Sequence, residues 1–214
     1  MHIAVLGRDI APRLDDAETL RAGLRVENAH APFDGVNALW TPGDDGDRYA
    51  ASLGEGLQVL EAARMIEEGK SLDEIKAYLL SRRPHMCQFF TVDDLAYLKR
   101  GGRISSATAL IGTVLSIKPI LRGDETGHIV SCGKVRGMKR AYQELANYYD
   151  GRALDKSEML GIAHADNEEG AQALIALLRD KGFTGECLNV VYEPVTGAHV
   201  GPGTVALFFY GKEK

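Results

Sequence analysis

The chain has 214 residues, a formal net charge of −5, 45% hydrophobic and 26% charged residues, the balance of an ordinary soluble globular protein with room for one large domain or two small ones. The acidic excess argues against general nucleic-acid binding, which leaves a basic surplus, and no apolar run approaches the length that crosses a bilayer. Cys87, Cys132 and Cys187 stand far apart and outside any C-x-x-C spacing, so they read as reduced cytoplasmic thiols that fill the core rather than as disulfides or zinc ligands.

His2 to Leu6 reads as a first strand with Gly7-Arg8-Asp9 as its turn. No basic segment precedes it, so no signal peptide is expected. Leu14 to Leu24 reads as a helix trimmed by Pro12 and Gly23. From Asn28 to Asp47 prolines, glycines and aspartates crowd together, which is loop chemistry with little to bury. Ser52-Leu-Gly-Glu55 then reads as a capping box that opens a helix with Leu57, Leu60 and Ile66 on its apolar face and Gly69 at its end. Ser71-Leu-Asp-Glu74 opens a second helix with Ile75 and Leu79 inward, closed by Pro84. The two are expected to form an antiparallel pair.

Gln88 to Val92 predicts a strand. Thr91 with Asp94 reads as a third capping box, Leu95 and Leu98 make a short apolar stripe, and Gly101-Gly102 stop the helix. Ser105 is placed to cap a further helix whose face is Ala107, Leu110, Ile111, Val114 and Leu115. Pro119 then forces Ile117 to Leu121 to be extended. Between the two helices lies Lys99-Arg100-Gly-Gly-Arg103, three cations at a glycine turn leading into a helix N-terminus, a natural place for an anion. Lys99 and Arg100 are equally at home as plain C-terminal helix cations, and Arg103 stands evenly between the two readings.

Arg122 to His128 reads as a turn, with Ile129 to Cys132 pairing back as a hairpin. Gly133-Lys-Val-Arg-Gly-Met-Lys-Arg140 is a second basic cluster entering a helix that runs to about Tyr149. It lacks the G-x-x-x-x-G-K-[ST] spacing of a phosphate loop. Arg136, placed at the start of that helix, has the planar donor set that suits an oxyanion, although a surface cation is the plainer reading. Met159 to Ala165 is an apolar strand, with His164 read as structural. Asp166-Asn167 turn and cap a helix bearing Ala171, Leu174, Ile175, Leu177 and Leu178, and Gly182 ends it. Cys187 to Val191 and Thr204 to Tyr210 are the last two strands. Mixed strands, hairpins and helices from Gln88 onward predict an α/β to α+β fold: a mostly antiparallel sheet with helices on one face.

Just before the final strand comes Gly197-Ala-His199-Val-Gly-Pro-Gly203. It reads as a loop whose glycines let a ligand approach backbone N–H groups and whose histidine can donate to a carboxylate or phosphate oxygen. A surface loop histidine is the bland alternative. No metal-ligand spacing, G-x-S-x-G elbow or GxGxxG after a strand is present, and no cofactor is expected. Hydrolysis and hydride transfer therefore have no positive case.

Taken together, Ala51-Ser-Leu-Gly-Glu-Gly-Leu57, Thr91 through Ser105, Leu115-Ser-Ile-Lys-Pro-Ile120, Lys134-Val-Arg-Gly137, His164-Ala-Asp-Asn167 and His199-Val-Gly-Pro-Gly203 resemble the DegV family of bacterial fatty-acid-binding proteins. The stretches come in the family's order and cover about residues 50 to 210. The resemblance implies two α/β domains, here a reduced N-terminal α/β region over residues 1–83 that includes the helix pair 52–82, then a C-terminal domain over 84–214. It implies a long-chain fatty acid in an apolar tunnel, held by its carboxylate between the domains. It also implies a non-enzymatic, cytoplasmic lipid-binding role in phospholipid metabolism, with presentation to a fatty acid kinase partner that phosphorylates the carboxyl group. His199 is then expected at the carboxyl head, with Gly201, Gly203 and Ser52 also binding ligand, and Arg103 and Arg136 near the head group or the partner's docking face. Typical members carry serine- and threonine-rich loops in the N-terminal region. Residues 1 to 50 here contain Thr19 and Thr41 and no serine, which supports an alternative: a DegV-like interaction module that has lost ligand binding.

Overall fold

The structure, a computed structural model, describes residues 52–102, 116–124 and 128–212. The expected first strand, the Leu14 to Leu24 helix, the 28–47 loop, the helix over Ala107 to Leu115 and Arg103 lie outside the described residues. Helices α1 (Leu53–Glu67) and α2 (Leu72–Arg82) come first, then β1 (Met86–Thr91) and α3 (Leu95–Arg100). The hairpin β2 (Ile117–Gly123) and β3 (Ile129–Arg136) follows, then α4 (Met138–Arg152), β4 (Leu160–His164) and α5 (Glu168–Asp180). The last elements are β5 (Cys187–Val191), α6 (Pro194–Val200) and β6 (Val205–Tyr210).

The strands form one six-stranded sheet in the order β3-β2-β1-β6-β4-β5. Every neighbour pair is antiparallel except β4 with β5, the pair joined through α5, since a parallel connection needs a crossover. The mixed α/β architecture agrees with the expected fold class. The helices, however, cover both faces rather than one. Cys87 and Phe89 of β1, Leu160 and Ile162 of β4 and Val205, Leu207 and Phe209 of β6 pack with α4 and α5. Their alternate neighbours Met86, Ala163, Ala206, Phe208 and Tyr210 pack with Leu53 and Leu57 of α1. The reason is legible in β6, whose six residues are all buried: a strand apolar on both faces needs cover on both.

Capping differs from expectation at two helices. Ser71 and Glu74 do form the reciprocal capping box at α2. Ser52 precedes α1 with φ 52 and no side-chain bond, and its carbonyl instead accepts from the amides of Glu55 and Gly56. Thr91 belongs to β1, and Asp94 is itself the cap of α3, its Oδ1 accepting from the Ala96 amide at 2.8 Å. A carboxylate one residue before the first helical turn outcompetes a hydroxyl further back.

Helix α2 is tied down by Arg82. Its Nη2 donates to both oxygens of Glu158 at 2.7 Å, and its guanidinium lies 4.0 Å from the centre of the Tyr210 ring. Glu158→Ala should lower the unfolding free energy by roughly 2 kcal/mol, the scale of a hydrogen bond to a charged group lost in a partly buried setting. A urea midpoint unchanged from the parent would show that the clamp contributes nothing.

Candidate functional site

The cluster of interest stands at one end of the sheet, where β1 and β4 finish and β6 begins. Its first part is α6. The sequence there reads as a loop, but the chain is helical through Val200. Glu193 caps it, accepting from the Thr196 amide at 3.2 Å and from the Thr196 hydroxyl, and Pro194 supplies a preset first-turn φ. Gly201, at φ 78, ends the helix and donates its amide to the Gly197 carbonyl at 2.9 Å. His199 thus sits in the last turn of a short helix, half-buried.

The imidazole packs against Gly101, the residue that closes α3. A Cβ at Gly101 would clash with the imidazole, most severely with Nδ1. Gly201 is pressed just as tightly: a Cβ there would lie 2.5 Å from the Tyr97 ring, whose face carries the Arg100 guanidinium 4.5 Å from its centre. Helices α3 and α6 therefore meet through two glycine contacts.

Gly203 is held from several sides. Its amide donates to the Ala165 carbonyl at 2.8 Å, while the Ala165 amide donates to the Thr204 carbonyl at 3.0 Å. Its carbonyl accepts from Asn167 Nδ2 at 2.7 Å, and a Cβ on it would lie 2.8 Å from Asp93 Cβ. Asp93 in turn receives the Lys118 ammonium, 3.0 Å from its carbonyl and 2.6 Å from Oδ1. Lys118 is only 9% exposed, so this pairing is what permits a cation inside β2.

His164, 3% exposed, closes the cluster on the β4 side. Its Nδ1 accepts from the Asn167 amide at 3.1 Å, which leaves the neutral ring's proton on Nε2, 2.8 Å from Glu168 Oε2. Glu168 is held below the usual carboxylate range, chiefly by the Gln172 side chain, then by Asn189 and His164.

Among the expected site residues, His199, Gly201 and Gly203 come together here, with Gly101 beneath the imidazole. Arg103 is outside the described residues, two positions beyond Gly101. Arg136 is the last residue of β3, paired with Ile117, rather than the start of the helix, because Gly137 at φ 82 must turn the chain before α4 begins. It is exposed and lies on the edge strand, three strand spacings or about 14 Å from β6. Ser52 stands at the start of α1, where its carbonyl accepts from the Glu55 amide. Burial first and Glu193 second push the Glu55 carboxyl up.

Sequence reasoning did not assign site roles to Gly101, Tyr97, Asp93, Lys118 or Asn167. One signal was available: a lone lysine in the apolar run Ile117 to Leu121 must have a partner. Among the described residues no group of three His, Cys, Asp or Glu side chains stands close enough to hold a metal ion, and no helix is long and apolar enough to cross a membrane.

A family model described as "Uncharacterised protein, DegV family" matches residues 46–212. A DegV domain-containing protein of Clostridium perfringens is 41% identical over 169 residues, which is 78% of this chain and 58% of that protein. Among solved structures, a fatty-acid-binding DegV family protein from Streptococcus agalactiae aligns with TM-score 0.66 and 34% identity, over 75% of this chain and 56% of that one. A Thermus thermophilus DegV family protein, whose structure is described as one of fatty acid binding, aligns with TM-score 0.68 and 35% identity, over 76% and 59%. The chain thus spans less than two thirds of the length of these relatives.

Proposed function

The chain belongs to the DegV family, and from that footing we propose that it is a fatty-acid carrier which binds a long-chain carboxylate without transforming it. His199 is the residue that takes the carboxyl head. The observation that carries this reading is the seating of its imidazole on the bare backbone of Gly101. That contact fixes the ring at the α3–α6 junction, and an imidazole N–H is the kind of group that donates to an oxyanion. Burying an acyl chain contributes about 0.8 kcal/mol per CH₂, so a long chain is retained without any covalent step. The fatty acids named for the Streptococcus and Thermus relatives support the ligand class.

Within the same reading, Ser52, Gly201 and Gly203 belong to the ligand's polar end, the two glycines by shaping the turn after His199, since their amides are already bonded to the Gly197 and Ala165 carbonyls. Arg103, two positions past Gly101 in the chain, is assigned by the family resemblance to the head group or a kinase partner, and the exposed Arg136 to that partner's docking face. Presentation of the carboxyl to such a kinase would place the carrier ahead of phospholipid synthesis, in the cytoplasm. The division into a reduced N-terminal α/β region (1–83) and a C-terminal domain (84–214) is likewise proposed, with α1 bridging the two through Leu53 and Leu57.

Gently purified protein is expected to carry fatty acid in native mass spectrometry, and His199→Ala to retain it at least tenfold less tightly, the loss of one hydrogen bond to a charged group. The serine-free stretch 1 to 50 favours a second reading, an interaction module without ligand. Empty parent protein, indifferent to His199→Ala, would select that reading and end the first.

A further inference from the structure

Asn167 does two separable jobs with one side chain. Its Oδ1 accepts from the Gly170 amide at 3.0 Å and caps α5. Its Nδ2 donates to the Gly203 carbonyl at 2.7 Å and to the Tyr142 hydroxyl at 3.0 Å. The first bond is ordinary helix capping. The second reaches from the β4–α5 turn to the segment immediately following His199.

That segment has little freedom elsewhere. The Gly203 amide is tied to Ala165, and the Thr204 hydroxyl donates to the Val200 carbonyl at 3.0 Å. Gly201 is stopped by Tyr97 and Gly203 by Asp93. The Gly203 carbonyl is held by Asn167, which makes that side chain one of the restraints on the turn that follows α6.

We propose that Asn167 is the positioning residue for His199: through the Gly203 carbonyl it holds the end of α6 so that the imidazole stays on Gly101. The inference rests on His199 taking the carboxylate, and its test separates the two claims.

Asn167→Asp keeps the helix cap, since aspartate caps as well as asparagine, but removes the donor and sets a carboxylate oxygen against the Gly203 carbonyl. Asn167→Ser also caps, and is too short to reach Gly203. The full chain is loaded with palmitate carrying ¹³C at its carboxyl. Release to albumin and the carboxyl resonance are then followed for the parent, Asn167→Asp, Asn167→Ser, His199→Ala and each Asn167 change combined with His199→Ala.

Both Asn167 variants are expected to release palmitate roughly three- to tenfold faster, the range of one neutral hydrogen bond, with the carboxyl resonance displaced toward that of His199→Ala and melting temperatures within about 2 °C of the parent. Combined with His199→Ala, they are expected to add nothing further, because a positioning residue has no effect once its target is gone. Parent-like release from both Asn167 variants, or full additivity with His199→Ala, overturns the positioning role while leaving the carrier reading intact. Parent-like release from His199→Ala overturns the head-group role and this inference with it.

Discussion

Gly101→Ala is expected to weaken fatty-acid retention by roughly 10- to 140-fold, the range that follows from losing a hydrogen bond to a charged group, while leaving the fold nearly as stable as before. The backbone offers no objection to alanine, since Gly101 has φ −74 and closes α3 in ordinary right-handed geometry. The objection is the His199 ring, because a methyl group at Gly101 would clash with it, most severely at Nδ1. The ring is half-buried at the end of a short helix, so it swings away toward solvent at a cost well below that of overpacking a rigid core. The imidazole is thereby displaced while still present in the chain. The effect should therefore approach that of His199→Ala. Dissociation constants for a fluorescent long-chain fatty acid, measured alongside the urea midpoint, test both halves. Unchanged affinity would mean that the seating of His199 on Gly101 has no part in binding. A collapsed midpoint would mean that the contact belongs to the core.

The parts of this architecture governed by local chemistry were legible in the sequence. The Ser71–Glu74 capping box, the strand over Cys187 to Val191 and the apolar face of α5 each follow from residues within a few positions of one another. What escaped was set at long range. Helix α6, with two glycines beside its histidine, has weak intrinsic helix propensity, and it forms between a Glu193–Pro194 start and a glycine end while packed on α3. The Gly101–His199 and Asn167–Gly203 contacts join segments far apart in the chain, and no spacing rule reaches them. Glycine spacing could mark both ends of the cluster as permissive to ligand. It could not indicate that three of those glycines are needed because other side chains lie directly upon them.

The second large effect concerns stability and should be nearly silent in binding. Phe89 is 1% exposed and lies on the α4 face of β1. Its ring stacks on Tyr148 at 4.6 Å between centres and on Phe209 at 6.1 Å. Phe209 meets Tyr149 edge-on at 5.1 Å, and the Arg152 guanidinium caps the Phe89–Tyr148 stack, 4.8 Å from the Tyr148 ring. Truncation removes the aromatic ring that joins the β1–β6 pair to α4, and neither strand can move in to fill the void because both are fixed in register by their neighbours. Phe89→Ala is therefore expected to cost about 3–5 kcal/mol, or roughly 10 °C in melting temperature for a chain of this size. Phe89→Leu, which keeps most of the volume, should cost much less. Thr91 and Val205 lie between Phe89 and the glycine cluster along the strands, so below the melting transition fatty-acid release should match the parent. A loss under about 1 kcal/mol would contradict the packing described for this face. Faster release from the folded variant would mean that the aromatic stack and the His199 cluster form one cooperative unit, and the contrast with Gly101→Ala would disappear.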